Sequence, residues 1–227
     1  MNSHSMSTST SALEPRKSPV QARSTATVEA LHVATVQVLI REGLSRCTTT
    51  RVAKRAGMSV GSLYQYYPNR DALLVAVLNK HLDDTVGTVC RVCREHWGKP
   101  AAEMAAALVT AFLTAKLRDP EESKALYAVA GERRGAELAA RAHARLVEAI
   151  TAMLASAPDA HFDDPAVAAV IALDALVGPV RTVLEGLAPA GFEACLEAQL
   201  ILLLTAYVQA HELPAKRRQR RKPEAGG

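Results

Sequence analysis

Apolar residues recur at three- and four-residue spacing along most of the chain, the period of an α-helix rather than of a strand. Between Ser24 and Glu42, Val28, Leu31, Thr35, Val38 and Leu39 share one face, and Gly43 follows where such a helix ends. Asp71 opens a long helical segment that reaches about His96. Its first turn holds an acid and its last holds Arg91 and Arg94, the signs that suit the helix dipole. Gly98 and Pro100 then break the chain. Five more helices are expected beyond: Pro100 to about Arg118 (Pro at N1), Pro120 to about Ala130, and one that begins near Gly135 and ends near Ser156. The fourth runs from Pro165 to about Leu187 behind Asp163 or Asp164 as cap, and the fifth from Phe192 to Glu212. Gly178-Pro179 should kink the fourth. In the fifth, Leu196, Leu200, Leu203, Leu204 and Tyr207 form one face, and Cys195, Leu202 and Ala206 carry apolarity round the side. Such a helix must be covered on more than one side, and with Val167 to Leu184 it suits a four-helix bundle shared with a second subunit. Without strand-like alternation or an internal repeat, the fold class is all-α, with about nine helices.

The most informative stretch is Thr48 to Leu74, TTTRVAKRAGMSVGSLYQYYPNRDALL. Thr48 and Thr49 are N-cap residues before a short run of helix formers, Arg51 to Ala56. Gly57 sits where that helix must end, since only Gly takes the left-handed conformation without a Cβ penalty. Ser59 can cap a second short helix, Val60 to Tyr66, which Pro68 and Asn69 stop. Val52, Ala53, Ala56, Met58 and Leu63 are spaced to pack the two together. That leaves Thr50, Arg51, Lys54, Val60, Gly61, Ser62, Gln65 and Arg70 outward. Two short helices about one tight turn make a helix-turn-helix, whose second helix enters the DNA major groove by its N-terminus.

The same stretch closely resembles the DNA-binding signature of the tetracycline-repressor (TetR) family of bacterial regulators. The matching positions are Thr48, Thr49, Arg51, Val52, Ala53, Ala56, Gly57, Ser59, Gly61, Ser62, Leu63, Tyr64, Tyr66, Tyr67, Asn69, Arg70, Asp71, Leu73 and Leu74. The resemblance covers about residues 24 to 80. It implies a homodimer, joined through the last two helices, that reads a palindromic operator, and a C-terminal helical bundle that dimerises and binds an effector. The expected division is a disordered segment 1–22, a three-helix DNA-binding domain 23–70, an effector and dimerisation domain 71–213, and a basic tail 214–227. By chemistry, Val60, Gly61 and Ser62 lie nearest base edges: Val60 for a thymine methyl, Gly61 for close backbone approach, Ser62 for hydrogen bonds. Thr50 and Arg51 flank the groove. Thr49, Tyr66 and Arg70 are expected at phosphates, with Thr48, Ser59 and Gln65 completing the interface and Tyr64 either packed as core or reaching the DNA backbone.

Composition adds bounds rather than detail. The chain has 227 residues, 49% of them apolar and only 4% aromatic, enough for a real core that favours helices. The net charge of +4 is compatible with a nucleic-acid partner. Between Arg23 and Lys80, eight Lys and Arg residues face only Glu29, Glu42 and Asp71. The Ser/Thr-rich N-terminus has no apolar h-region. No uncharged run approaches the ~18–20 apolar residues of a membrane helix, Pro165 to Pro189 being interrupted by Asp174, Arg181 and Glu185. A cytoplasmic protein without a membrane partner is expected.

For an effector, Met104, Leu108, Phe112, Leu126, Leu146 and Ile150 are candidate apolar lining, or plain core. Tyr127, His143, Asp174 and Arg181 are polar groups on otherwise apolar helices; Asp174 and Arg181 equally suit a pair across a dimer interface. Cys90-x-x-Cys93, with His96 a turn on, has the spacing of a metal or redox site, but two small residues on a helix face is the better reading. No cofactor or metal is expected. The basic run Lys216 to Lys222 either adds sequence-independent DNA affinity or is simply solvated. A regulator without effector or with a cysteine switch remains an alternative. So does an all-helical enzyme or interaction module, although no nucleophile elbow, phosphate loop or paired carboxylates occur at a recognisable spacing.

Overall fold

A computed structural model describes residues 19–212, with side chains from residue 24. The expectations for residues 1–18 and for the basic run Lys216 to Lys222 lie outside the described residues. Within them there are nine α-helices: α1 (Pro19–Glu42), α2 (Thr49–Arg55), α3 (Val60–Tyr64), α4 (Arg70–Glu95), α5 (Ala101–Leu117), α6 (Pro120–Ala130), α7 (Arg133–Ala155), α8 (Pro165–Leu184) and α9 (Phe192–Gln209). A 3-10 turn, Leu44–Arg46, joins α1 to α2.

Capping chemistry sets most starts. Asn69 accepts from the Ala72 amide, Asp119 from Glu122, and Asp164 from both Ala166 and Val167. Several boundaries differ from expectation: α3 ends at Tyr64 rather than Tyr66, and α8 at Leu184 rather than about Leu187. α1 begins at Pro19, so residues 19–22 are helical; Pro suits the first helical position, where its missing N–H costs nothing. Pro100 is the cap of α5 rather than its first residue, with an extended ψ of 143°. α9 stops at Gln209, after which the chain bridges back: the His161 amide donates to the His211 carbonyl at 2.9 Å, and Ala160 pairs with Glu212. α8 runs on through Pro179 without interruption.

Two cores result. The first gathers Leu31, Val38, Leu39, Val52, Leu63, Leu73, Leu74, Val77 and Leu78 from α1 to the first half of α4, and adds Leu126 and Val129 of α6 and Leu138 of α7. The second is built from the rest of α4 with α5, α7, α8 and α9, around Val89, Met104, Ile150, Met153, Leu173, Leu176 and Leu200. α4 therefore runs through both. α7 also joins them, with Leu138 in the first and Ala142 onward in the second, and Gly131 and Glu132 alone separate it from α6. Gly135 makes this junction possible: a Cβ there would lie 2.1 Å from the Val129 carbonyl oxygen and 2.8 Å from the Ala130 Cα.

Candidate nucleic-acid interface and cavity

The helix-turn-helix forms as its capping residues dictate. Thr48 Oγ1 accepts from the Arg51 amide, Ser59 Oγ accepts from the Ser62 amide at 3.0 Å, and Gly57 turns between the helices at φ 70°. Val52, Ala53 and Leu63 are buried, so α2 and α3 pack through the residues expected. The opposite surface exposes Thr48, Thr50, Arg51, Ser59, Gly61, Tyr64 and Gln65, with Thr49, Val60, Ser62, Tyr66 and Arg70 half-buried beside them. Tyr64 is not core: half its surface is exposed, and its hydroxyl lies 3.2 Å from Thr49 Oγ1. Tyr66 packs on the first core from its edge. Two arginines have partners the sequence did not disclose. Arg51 Nη1 donates to Glu42 Oε2 at 2.5 Å and to the Arg46 carbonyl at 3.3 Å. Arg70 gives Nε to the Cys47 carbonyl at 2.6 Å and Nη2 to that of Leu44 at 2.7 Å, clamping the 3-10 turn that positions α2. Behind this surface the His32 Nε2 meets the Tyr67 hydroxyl at 2.7 Å; burial lowers the basicity of His32 and raises the Tyr67 pKa.

A cavity of about 190 Å³ lies where α4, α5, α6, α7 and α8 converge. Of the residues expected to line it, Phe112, Tyr127 and His143 do, together with Leu126 and Leu146. Met104, Leu108 and Ile150 do not. The cavity sits at the C-terminal end of α5, so Met104 and Leu108, earlier on the stripe of Phe112, are enclosed by the second core. Asp174 reaches it only through His143, whose Nε2 lies 3.1 Å from Asp174 Oδ1. Arg181 is on the outside, donating to Glu185 at 2.6 Å. The sequence reading missed the most unusual lining groups. Lys116 is only 8% exposed, and its Nζ stands 5.0 Å from the centre of the Tyr127 ring. Burial pushes its amine down to about 8 and raises the Tyr127 phenol. His81, with its side chain 10% exposed, faces Glu122 through Nδ1 at 3.4 Å, while its buried Nε2 has no partner. The hydrogen bond from His81 holds the Glu122 carboxyl below its usual range. A signal for Lys116 existed: it is the one charge in the apolar run from Ala105 to Leu117, four residues after Phe112.

Two family descriptions match the chain in tandem. "Bacterial regulatory proteins, tetR family" covers residues 31–77, and "Tetracyclin repressor-like, C-terminal domain" covers residues 100–207. The chain belongs to the TetR family. No curated protein matches it in sequence. Among solved structures, a transcriptional regulator from Rhodococcus sp. Rha1 superimposes with a TM-score of 0.67 at 20% identity, over 82% of this chain and 99% of that one. SmeT, the repressor of the Stenotrophomonas maltophilia multidrug efflux pump SmeDEF, does so at 0.63 and 16%, over 83% and 91%. The fatty acid degradation regulator FadR from Bacillus halodurans gives 0.61 and 18%, over 78% and 97%. At these identities the likeness is one of fold.

This TetR-family regulator keeps its thiols protonated where they are buried. Burial pushes Cys47 up to about 11 and Cys93 up to about 12, and raises Cys90. Thiols so shifted are poor nucleophiles at neutral pH, which argues against a switch at Cys90 and Cys93. Among the described residues no cluster of His, Cys, Asp or Glu is arranged to hold a metal. α8 and α9 each keep one stripe buried, Leu173, Leu176 and Val180 on one and Leu196, Leu200, Leu204 and Val208 on the other. Outside they expose Val167, Val170, Ile171, Leu202 and Leu203, with Leu203 falling outside the buried face expected for it. Both helices are long and apolar enough to cross a membrane by length and composition alone, although neither holds the uncharged run that the sequence expectation excluded. Asp174 and Arg181 in α8, and Glu193 and Glu197 in α9, interrupt that apolarity.

Proposed function

We propose that this chain acts as a cytoplasmic homodimeric repressor that binds a palindromic operator and lets go when a small, largely apolar molecule fills the cavity. In this reading residues 23–70 carry the DNA contacts and residues 71–213 the effector and the dimer. Val60, Gly61 and Ser62 meet base edges, Thr50 and Arg51 flank the groove, and Thr48, Thr49, Ser59, Tyr64, Gln65 and Tyr66 hold the backbone. Arg51 exchanges Glu42 for a guanine or a phosphate, whereas Arg70 contributes through the turn it clamps. One head contacts too few bases for tight binding, so two related by a dyad, roughly 34–36 Å apart, read the two half-sites. The exposed faces of α8 and α9 supply the dimer contact. No residue is assigned to catalysis, and no cofactor or metal is involved.

One observation carries the coupling. Leu78 of α4 and Leu126 of α6 belong at once to the core of the DNA-binding head and to the cavity wall. A molecule that displaces either must repack the head, because close-packed cores shift between discrete arrangements rather than yield continuously.

The test is selection of bound duplexes from a random pool, with Arg51→Ala and Ser62→Ala run in parallel. A palindrome should be recovered. Each variant should bind it about 1–3 kcal/mol more weakly if it loses a base contact. Recovery of no sequence preference, with binding abolished by moderate salt, would leave only a basic surface and defeat the reading.

A further inference from the structure

The cavity wall is apolar almost throughout, yet it contains a lysine with no counter-ion. The side chains that line the cavity with Lys116 include Phe112, Leu126, Tyr127, Leu146 and Leu173, and none of the ion pairs among the described residues includes it. A buried lysine is ordinarily paired, or extends its ammonium to water along an apolar surface. Lys116 has no such partner and only 8% of its surface is exposed, so its ammonium has little access to water; its one favourable electrostatic contact is the face of Tyr127. Such a contact offsets only part of what desolvating an ammonium costs.

The charged groups nearby do not make up the difference. Glu122 on α6 is committed to His81, and Asp174 on α8 to His143 at the rim. On α4, His81 lines the same cavity, and its Nε2 is buried and unpartnered. Two basic side chains about nine-tenths buried thus line a chamber that is otherwise mostly apolar, with Thr85, Tyr127 and His143 as its other polar side chains.

We infer that the cavity is built for an anionic amphiphile: a monocarboxylate whose ring-sized or short acyl body fills the apolar chamber while its carboxylate is taken by Lys116 Nζ and His81 Nε2. This rests on the proposed role of the cavity as the effector site and names the effector's class. Size limits the body. An apolar cavity of about 150 Å³ holds a benzene ring, so 190 Å³ takes one ring, or an acyl chain of similar volume, plus a few atoms. Charge limits the head. One ammonium and one imidazole match a single carboxylate, and a dianion such as a phosphate monoester would bring uncompensated charge into an apolar wall. With Glu122 at Nδ1 and a carboxylate at Nε2, the ring would donate from both nitrogens, completing a Glu122–His81–ligand chain.

The full chain, free of DNA, is titrated calorimetrically with phenylacetate, benzoate and hexanoate, and in parallel with phenylacetamide, benzamide and hexanamide. At least one acid should bind ten or more times tighter than its own amide. Lys116→Met, which keeps the volume and removes the charge, should abolish that preference while raising the melting temperature of the ligand-free protein. The wild-type comparison of acid with amide decides the question even should the variant not fold. Amides binding as tightly as acids, no binding by either series, or an intact preference in Lys116→Met would each overturn the inference. Duplex selection separates this from the regulator reading: a chain that reads a palindrome but prefers neutral ligands sinks only the carboxylate, whereas one that reads no DNA sinks the regulator whatever acids it takes up.

Discussion

Lys116 is where the molecule carries its clearest energetic cost. The folded amine titrates near 8 rather than the ordinary 10.5, so between those values the unfolded chain holds more protons than the native one. Stability therefore rises with pH across that window, and the full cost is felt below pH 8. The gap corresponds to roughly 3 kcal/mol. Urea unfolding of wild type and Lys116→Met from pH 7 to 10.5 should show the difference between them shrink by about that order as pH rises, because the subtraction removes the other titrating groups. A difference that does not change with pH would mean the amine is solvated in the native state. Arg70 shows the opposite arrangement, a charged side chain whose donors are met by two carbonyls and which thereby fixes the turn before α2.

Helix positions were largely legible because the sequence carries explicit punctuation. Asp119 before Pro120 and Asp164 before Pro165 set starts that α6 and α8 obey to the residue, and Ser59 does the same for α3. What periodicity does not encode is which helices share a cavity. Phe112, Tyr127 and His143 were recognisable as candidates, but Lys116 and His81 gain their meaning from partners absent in space, and spacing along one helix cannot show that. Leu203 illustrates a second limit: on a helix apolar nearly all round, the sequence does not say which apolar residues meet their own chain. Packing at the α6–α7 elbow is equally hidden until the backbones are seen to touch. Gly135→Ala places a methyl where the Val129 carbonyl already stands, so α7 must shift or unwind its first turn. A loss of about 1–3 kcal/mol is expected, in the range of overpacked cores, measured by chemical denaturation; a neutral result would mean the elbow is slack.

For the whole molecule, the exposed leucines and valines of α8 and α9 define the proposed dimer. Leu202→Glu combined with Leu203→Glu should give a folded monomer by sedimentation, with unchanged helical circular dichroism and operator affinity reduced at least tenfold. A dimer that persists would move the interface elsewhere. Leu78 and Leu126 serve both the core of the reading head and the cavity wall, and this sharing bears on how the protein can diverge or be engineered. Lining positions that belong to the second core alone, such as Phe112, Leu146 and Leu173, form a region in which effector preference can drift while the switch stays calibrated. Changes at Leu78 or Leu126 have no such freedom. A library that randomises them will be filled with variants locked in the bound or the released state, so the practical route to a retuned biosensor runs through α5, α7 and α8 and leaves those two leucines alone.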